Sequence, residues 1–153
     1  MRPLSDKTAW TLIALLAVAG LGTTGYLTYS HYADQVTVCA GIGSCEYVQN
    51  SSYSRMAGVP VALMGLGFFV ALEGLALLRL ARLPLAMEFG QQAAFSMTLG
   101  GLAFVAYLTY VELFVIDAVC PWCVATACIT LACFSVVALT TVFSLPESAA
   151  EPG

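Results

Sequence analysis

Apolar residues run along this chain in four blocks, at about 10–29, 59–80, 93–116 and 121–145, separated by segments where the polar and turn-forming residues collect. Each block approaches or exceeds the roughly 20 residues an α-helix needs to cross a hydrocarbon core. The pattern predicts an all-α integral membrane protein, a four-transmembrane-helix bundle forming one domain over 1–153. An outer loop over 30–58 joins the first two spans, and the end of the chain, 146–153, is expected to be a disordered tail with no fused soluble redox module.

Composition supports the same class. The chain has 153 residues, of which 60% are hydrophobic and 9% charged, against about 25% charged in an ordinary soluble domain. A net charge of −4 without any basic run argues against nucleic-acid or polybasic lipid binding. No internal repeat or low-complexity tract is present.

The few basic residues set the orientation, because Lys and Arg near span ends stay on the cytoplasmic side. Arg2 and Lys7 precede the first span, and Arg79 and Arg82 join the second to the third. Both clusters place the N- and C-termini in the cytoplasm; Arg55 opposes them. The loop 30–58 and the link 117–120 then face outward. The first span resembles a cleavable signal in having Ala17-Val18-Ala19 after a basic start, but its apolar run is longer than the roughly 7–15 residues of a signal core. Tyr26, Tyr29 and Tyr32 at its end predict an interfacial belt.

Both outward segments carry paired cysteines, and an oxidising outer side suits disulfide chemistry. Cys120-Pro121-Trp122-Cys123 opens the fourth apolar block. Cys120 near the N-cap puts Pro121 at the first helical position, which tolerates a missing amide hydrogen, and Cys123 about one turn on. Thiols at a helix start are held toward the thiolate by the helix dipole. The alternative is a pair of small buried hydrophobes. Upstream, Cys39 and Cys45 enclose a loop containing Gly41 and Gly43, flexible enough to bring the two sulfurs together. That pair reads as a shuttle to Cys120 and Cys123, or as one fixed structural disulfide. A four-thiolate zinc site is the third option, disfavoured by the spacing and the oxidising face, so no metal is expected.

Other candidates carry weaker signals. His31 reads as an interfacial residue rather than a ligand or base. Cys128 and Cys133, further along the fourth helix, read as packing residues, with Cys128 turned away from the face of Cys123. Glu73 is expected to snorkel or pair with Arg79, while Glu112 and Asp117 lie toward the outer end of the third span, where Glu112 could serve a proton path to a quinone site although nothing in the sequence shows one. Gly65, Gly67, Gly100 and Gly101 are expected to allow close helix packing.

With these features in hand, the chain resembles a bacterial, DsbB-like member of the vitamin K epoxide reductase family lacking a fused thioredoxin domain. The residues that carry the resemblance are Cys39, Cys45 and Glu46, then Ser51-Ser52-Tyr53-Ser54, Gly58-Val59-Pro60-Val61-Ala62-Leu63, and Cys120-Pro121-Trp122-Cys123. DsbB-type oxidases also have four spans and two cysteine pairs, but their C-x-x-C lies in the first outer loop. The resemblance implies catalytic roles for all four outer cysteines. Cys123 would face a membrane quinone, ubiquinone or menaquinone, Cys120 would exchange with Cys45, and Cys39 would meet the substrate thiol. Ser51 would donate a hydrogen bond to a quinone oxygen. Animal members have a tyrosine where this chain has Ala127.

The implied function is that of a thiol:quinone oxidoreductase in the bacterial cytoplasmic (inner) membrane. It would oxidise a periplasmic or extracytoplasmic thioredoxin-like (DsbA-like) protein at the outer face and so support disulfide formation. A quinone or quinone-epoxide reductase supplying hydroquinone uses the same residues in reverse. A non-catalytic membrane assembly protein with fixed disulfides is the reading from another class.

Overall fold

The computed structural model describes residues 5–33, 39 and 45–148. Arg2, the loop glycines Gly41 and Gly43, and residues 149–153 of the expected tail lie outside the described residues. Four long helices dominate: α1 (Asp6–Tyr32), α3 (Val61–Leu80), α4 (Pro84–Val111) and α5 (Pro121–Ser148). Each contains a stretch long and apolar enough to cross a membrane. The short helix α2 (Cys45–Asn50), a 3-10 turn at Ser52–Ser54 and two strands, β1 (Arg55–Met56) and β2 (Val59–Pro60), lie between α1 and α3.

Local chemistry explains the ends of these elements. Ser5 caps α1, its hydroxyl accepting the Thr8 amide at 3.3 Å, and the carboxylate of Asp6 in the first turn favours the helix dipole. At the end of α3 the amides of Arg82 and Leu83 turn back to the carbonyls of Arg79 and Leu78, with Arg82 at φ 57°. This is the two-bond reversal that normally recruits glycine. Pro84 then opens α4 at its first turn, and Pro121 opens α5.

Helix α1 extends beyond the expected 10–29 at both ends, and three other boundaries differ from the sequence expectation for local reasons. The third span begins at Pro84 rather than near 93, because Gln91 interrupts the apolar run without interrupting the helix. Its side-chain amide donates to the Thr140 and Thr141 hydroxyls and the Val137 carbonyl at 2.7–3.2 Å, so the polar group is satisfied inside the bundle. The second span begins at Val61, since Val59 and Pro60 pair with Met56 and Arg55 in a two-residue antiparallel ladder. Ala57 and Gly58 connect the strands with φ of 51° and 85°, both positive as a type I′ turn requires. Helix α5 also continues through Pro146 to Ser148, past the expected start of the tail.

Helix α1 packs on α3 and α5, and α4 packs chiefly on α5. Trp10, Ile13, Phe69, Leu72, Cys133 and Val137 form the centre of the buried core. Between helices that share an apolar solvent, close approach rather than water exclusion holds the contact. Gly20 is the tightest such position: a Cβ there would run into the Phe69 ring. Gly101 gives way to Phe68 and Gly65 to Thr24 in the same manner, whereas Gly67 and Gly100 face no neighbouring atoms and serve no such role. Leu15, Val18, Val70, Leu77, Leu131 and Val142 point outward, an apolar exterior suited to lipid.

The end of the bundle near the N-terminus is held by Arg79. Its guanidinium pairs with Asp6 at 3.2 Å, donates to the carbonyls of Ala86 and Met87 at 3.0 Å, and lies over the Trp10 ring at 5.1 Å. The expected Glu73–Arg79 pair does not form, because Asp6 and the α4 carbonyls take the guanidinium. Glu73 is half-buried, and its Oε2 has no hydrogen-bond partner among the described residues.

Candidate active site

At the opposite end, Cys120 occupies the N-cap of α5. Its carbonyl accepts the Val124 amide at 3.1 Å, and its sulfur faces the amides of Trp122 and Cys123 and the Cys123 thiol. A helix start has amides without intrahelical partners, and here two of them point at sulfur. The hydrogen bond from the Cys123 thiol pulls the Cys120 thiol below its ordinary pKa and the two amides assist, while burial and the nearby Glu112 carboxyl act in the other direction. Cys120 is therefore the more readily ionised member of the pair.

Cys39 and Cys45 are joined by a disulfide, with their Cα atoms 6.2 Å apart, whereas Cys120 and Cys123 carry free thiols. Cys45 begins α2, is 1% exposed, and shares one buried cluster with Val48, Ala118 and the fully buried Cys120. Cys39, half-buried, and Cys123 pack against the same cluster. The two couples thus sit together at one end of the bundle. Within the loop couple Cys39 is the more accessible residue, and Cys45 and Cys120 are the most buried of the four.

Cys123 also lines a cavity of about 130 Å³. Its walls are largely apolar, with Leu27, Val61, Phe104, Leu108 and Ile116, and its polar lining includes Ser51, His31 and Glu112. Ser51 lies on the cavity wall, and its hydroxyl donates to the Val48 carbonyl at 2.7 Å and closes the turn after α2. His31 accepts a hydrogen bond from Arg55 at 3.3 Å; it lies between the cavity and the β1 strand.

Glu112 was not assignable from sequence, and the fold brings it into the site. The last turns of α4 widen into a π-helix over Glu112–Ile116, closed by Asp117 in the left-handed region at φ 52°. Such widenings recur at functional sites. Leu113, Phe114 and Val115 are exposed, but Glu112 is only 6% exposed. Its carboxylate accepts hydrogen bonds from the Cys123 thiol and the Cys120 amide. The only sequence signal was an acid inside an apolar run, eight residues before Cys120.

Other candidates divide. Tyr29 and Tyr32 are exposed, as a belt requires, but Tyr26 turns inward and packs on Trp122 with ring centroids 4.9 Å apart, backing the C-x-x-C motif. Thr23 accepts a 3.2 Å hydrogen bond from Thr126, which further ties α1 to α5. Cys133 lies in the core, a packing residue as expected. Cys128 is exposed on the outer surface and is not a packing residue, since five residues of helix rotate it away from the bundle. Among the described residues no group of His, Cys, Asp and Glu has an arrangement that could hold a metal ion.

The model of the vitamin K epoxide reductase family matches residues 11–138, a stretch that reaches into all four helical spans and contains both cysteine couples. The chain belongs to the vitamin K epoxide reductase family. It is a multi-pass membrane protein of a family of thiol-disulfide and quinone oxidoreductases, whose members work with quinones and thioredoxin-like partners.

Proposed function

We propose that this member of the vitamin K epoxide reductase family oxidises an extracytoplasmic thioredoxin-like protein and passes the electrons to a membrane quinone, supporting disulfide formation. The observation that carries this reading is the continuous sulfur path from half-buried Cys39, through Cys45 and Cys120 in one buried cluster, to Cys123 on the cavity wall. In the bacterial cytoplasmic membrane, with both termini in the cytoplasm, that path faces the outside.

Residue roles follow from accessibility and acidity. A substrate thiolate attacks the Cys39–Cys45 disulfide at Cys39, the sulfur within its reach, and the substrate leaves oxidised. Cys45 then attacks Cys120 of the Cys120–Cys123 disulfide. Cys120 shares the buried cluster of Cys45, and Cys123 departs as the thiolate. Cys39 resolves the mixed disulfide, which restores the loop bond and leaves Cys120 and Cys123 as thiols. A sulfur whose thiolate is stabilised is the better leaving group, and Cys120 leaves as its thiolate when Cys39 attacks Cys45 of the mixed disulfide.

The cavity fits an apolar ring. Its volume is well below the roughly 300–1,000 Å³ of pockets that enclose whole small ligands, which suits a quinone headgroup with its tail left in lipid. Cys123 would contact the ring, with Ser51 and Glu112 as polar neighbours. When bound, the quinone supplies the two-electron acceptor. A Ser51 hydroxyl that donates to it must first leave Val48.

The test is anaerobic mixing of the purified protein with ubiquinone-1 and a reduced thioredoxin-like protein, following quinone absorbance. Turnover is expected from the native chain. Cys123→Ala is expected to abolish it while Cys120 accumulates in a mixed disulfide with the loop. Normal turnover by Cys123→Ala refutes the assignment.

A further inference from the structure

We infer that Glu112 is a catalytic proton-transfer residue, taking the proton of the Cys123 thiol as the Cys120–Cys123 bond closes and passing it to the acceptor oxygen in the cavity. The inference rests on the thiol:quinone reading above and adds to it the route of a proton.

Three observations converge on this residue. Glu112 touches the reacting atom, because the Cys123 thiol donates to its carboxylate. It also lines the same cavity as Cys123, so one carboxyl group spans the sulfur and the space where an acceptor would lie. Finally, it is 6% exposed, yet the one ion pair among the described residues joins Arg79 to Asp6 at the other end of the molecule. A buried acid without a cationic partner is costly to keep, and a purely structural cap on the Cys120 amide needs only a neutral carbonyl.

Four of the neighbouring hydroxyls are poor substitutes. Thr24, Ser51, Thr109 and Thr126 all line the cavity, and each donates its proton to a backbone carbonyl at 2.7–2.9 Å. They are also far weaker acids than a carboxyl group.

The balance is as follows. Closing the Cys120–Cys123 bond breaks two S–H bonds, forms one S–S bond and releases two electrons and two protons. A quinone that becomes a hydroquinone consumes both electrons and both protons. Glu112 receives the Cys123 proton and gives it up again, so it ends each cycle as it began. The Cys120 proton, held less tightly because that thiol is the more acidic, leaves separately.

The experiment compares native protein, Glu112→Gln and Glu112→Asp in detergent micelles, each first reduced with dithiothreitol and freed of it. Stopped-flow mixing with ubiquinone-1 measures closure of the Cys120–Cys123 bond. Positioned proton transfer typically contributes about 10²–10⁴-fold, so Glu112→Gln is expected to slow closure by about 100-fold or more. Glu112→Asp, which keeps the carboxyl group, is expected to recover part of the rate. Reduction of the Cys39–Cys45 bond by dithiothreitol is expected to stay native in both variants, showing that they are folded.

A second readout needs no quinone. Infrared difference spectra between dithiothreitol-reduced and diamide-oxidised protein should contain a carboxyl band that changes with the state of Cys123 and is missing in Glu112→Gln. Native closure rates in Glu112→Gln, or no redox-linked carboxyl band in the native protein, overturn the inference and leave the function standing. Native protein that fails to reduce ubiquinone-1 overturns the function and the inference together.

Discussion

Cys120 and Cys133 are both completely buried thiols on or at the start of the same helix, yet only one of them is placed for chemistry. Cys133 sits mid-helix within the core beside Phe69 and Val137, where the backbone amides are spent on the helix itself. Cys120 stands at the N-cap, where amides of Trp122 and Cys123 remain to face its sulfur and Cys45 shares its cluster. Burial does not decide whether a thiol reacts. The supply of unspent donors and a second sulfur decide it.

The largest effect that can break this contrast comes from serine substitution at buried cysteines. Cys45→Ser is expected to abolish electron transfer from a reduced thioredoxin-like protein to ubiquinone-1, whereas Cys133→Ser is expected to leave the rate per folded molecule unchanged. Equal loss in both, measured by quinone absorbance, would erase the distinction between the two regions.

Next in size is Phe69→Ala, which removes a ring that fills the groove at Gly20. Deleting a buried aromatic side chain costs about 3–5 kcal/mol, to be read from reversible unfolding in mixed micelles. The folded fraction should keep its native rate of Cys39–Cys45 reduction. Gly20→Ala attacks the same contact by overfilling it and should cost about 1–3 kcal/mol.

Smaller still is the support that Tyr26 gives Trp122. A double-mutant cycle with Tyr26→Leu and Trp122→Leu should return a coupling of about 0.5–1.5 kcal/mol. A value of zero would mean that the aromatic pair does not brace the motif.

The smallest effect is on pH dependence, and it sharpens the contrast at Cys120. Its thiol is held below the ordinary value by the Cys123 hydrogen bond first and by the helix amides after it. A depressed folded pKa favours the thiolate in the folded state. In the reduced protein its stabilising share is therefore complete above the unfolded thiol pKa and is lost as pH falls through the folded one. Maleimide labelling of Cys120 in unfolded and folded reduced protein, corrected for access, should show the folded midpoint at lower pH. A folded midpoint at or above the unfolded one contradicts the N-cap account.

The amount that could be read from the sequence varied by feature. Span number was legible because about 20 apolar residues leave few alternatives to a membrane helix, and the C-x-x-C motif with Pro121 marked its own helix start. The beginning of α4 was not legible, since Gln91 looks polar until its partners on α5 are known. Nor was the role of Arg79, whose hydrogen bonds go to Asp6 and to α4 rather than to nearby Glu73. Tyr26 resembled its exposed neighbours because a repeating tyrosine pattern does not say which ring meets Trp122.

By itself the sequence determined the membrane class, the four spans and the two cysteine couples, all of which follow from local composition and spacing. Tertiary structure alone decided that Cys45 and Cys120 share one buried cluster, that Cys123 opens onto a cavity, and that Glu112 reaches both the Cys123 thiol and the Cys120 amide. Those juxtapositions join residues far apart in the chain or turned by a π-helical segment, and no periodicity encodes them. They arise when α1, α3, α4 and α5 pack and the loop helix α2 closes over the end they leave open.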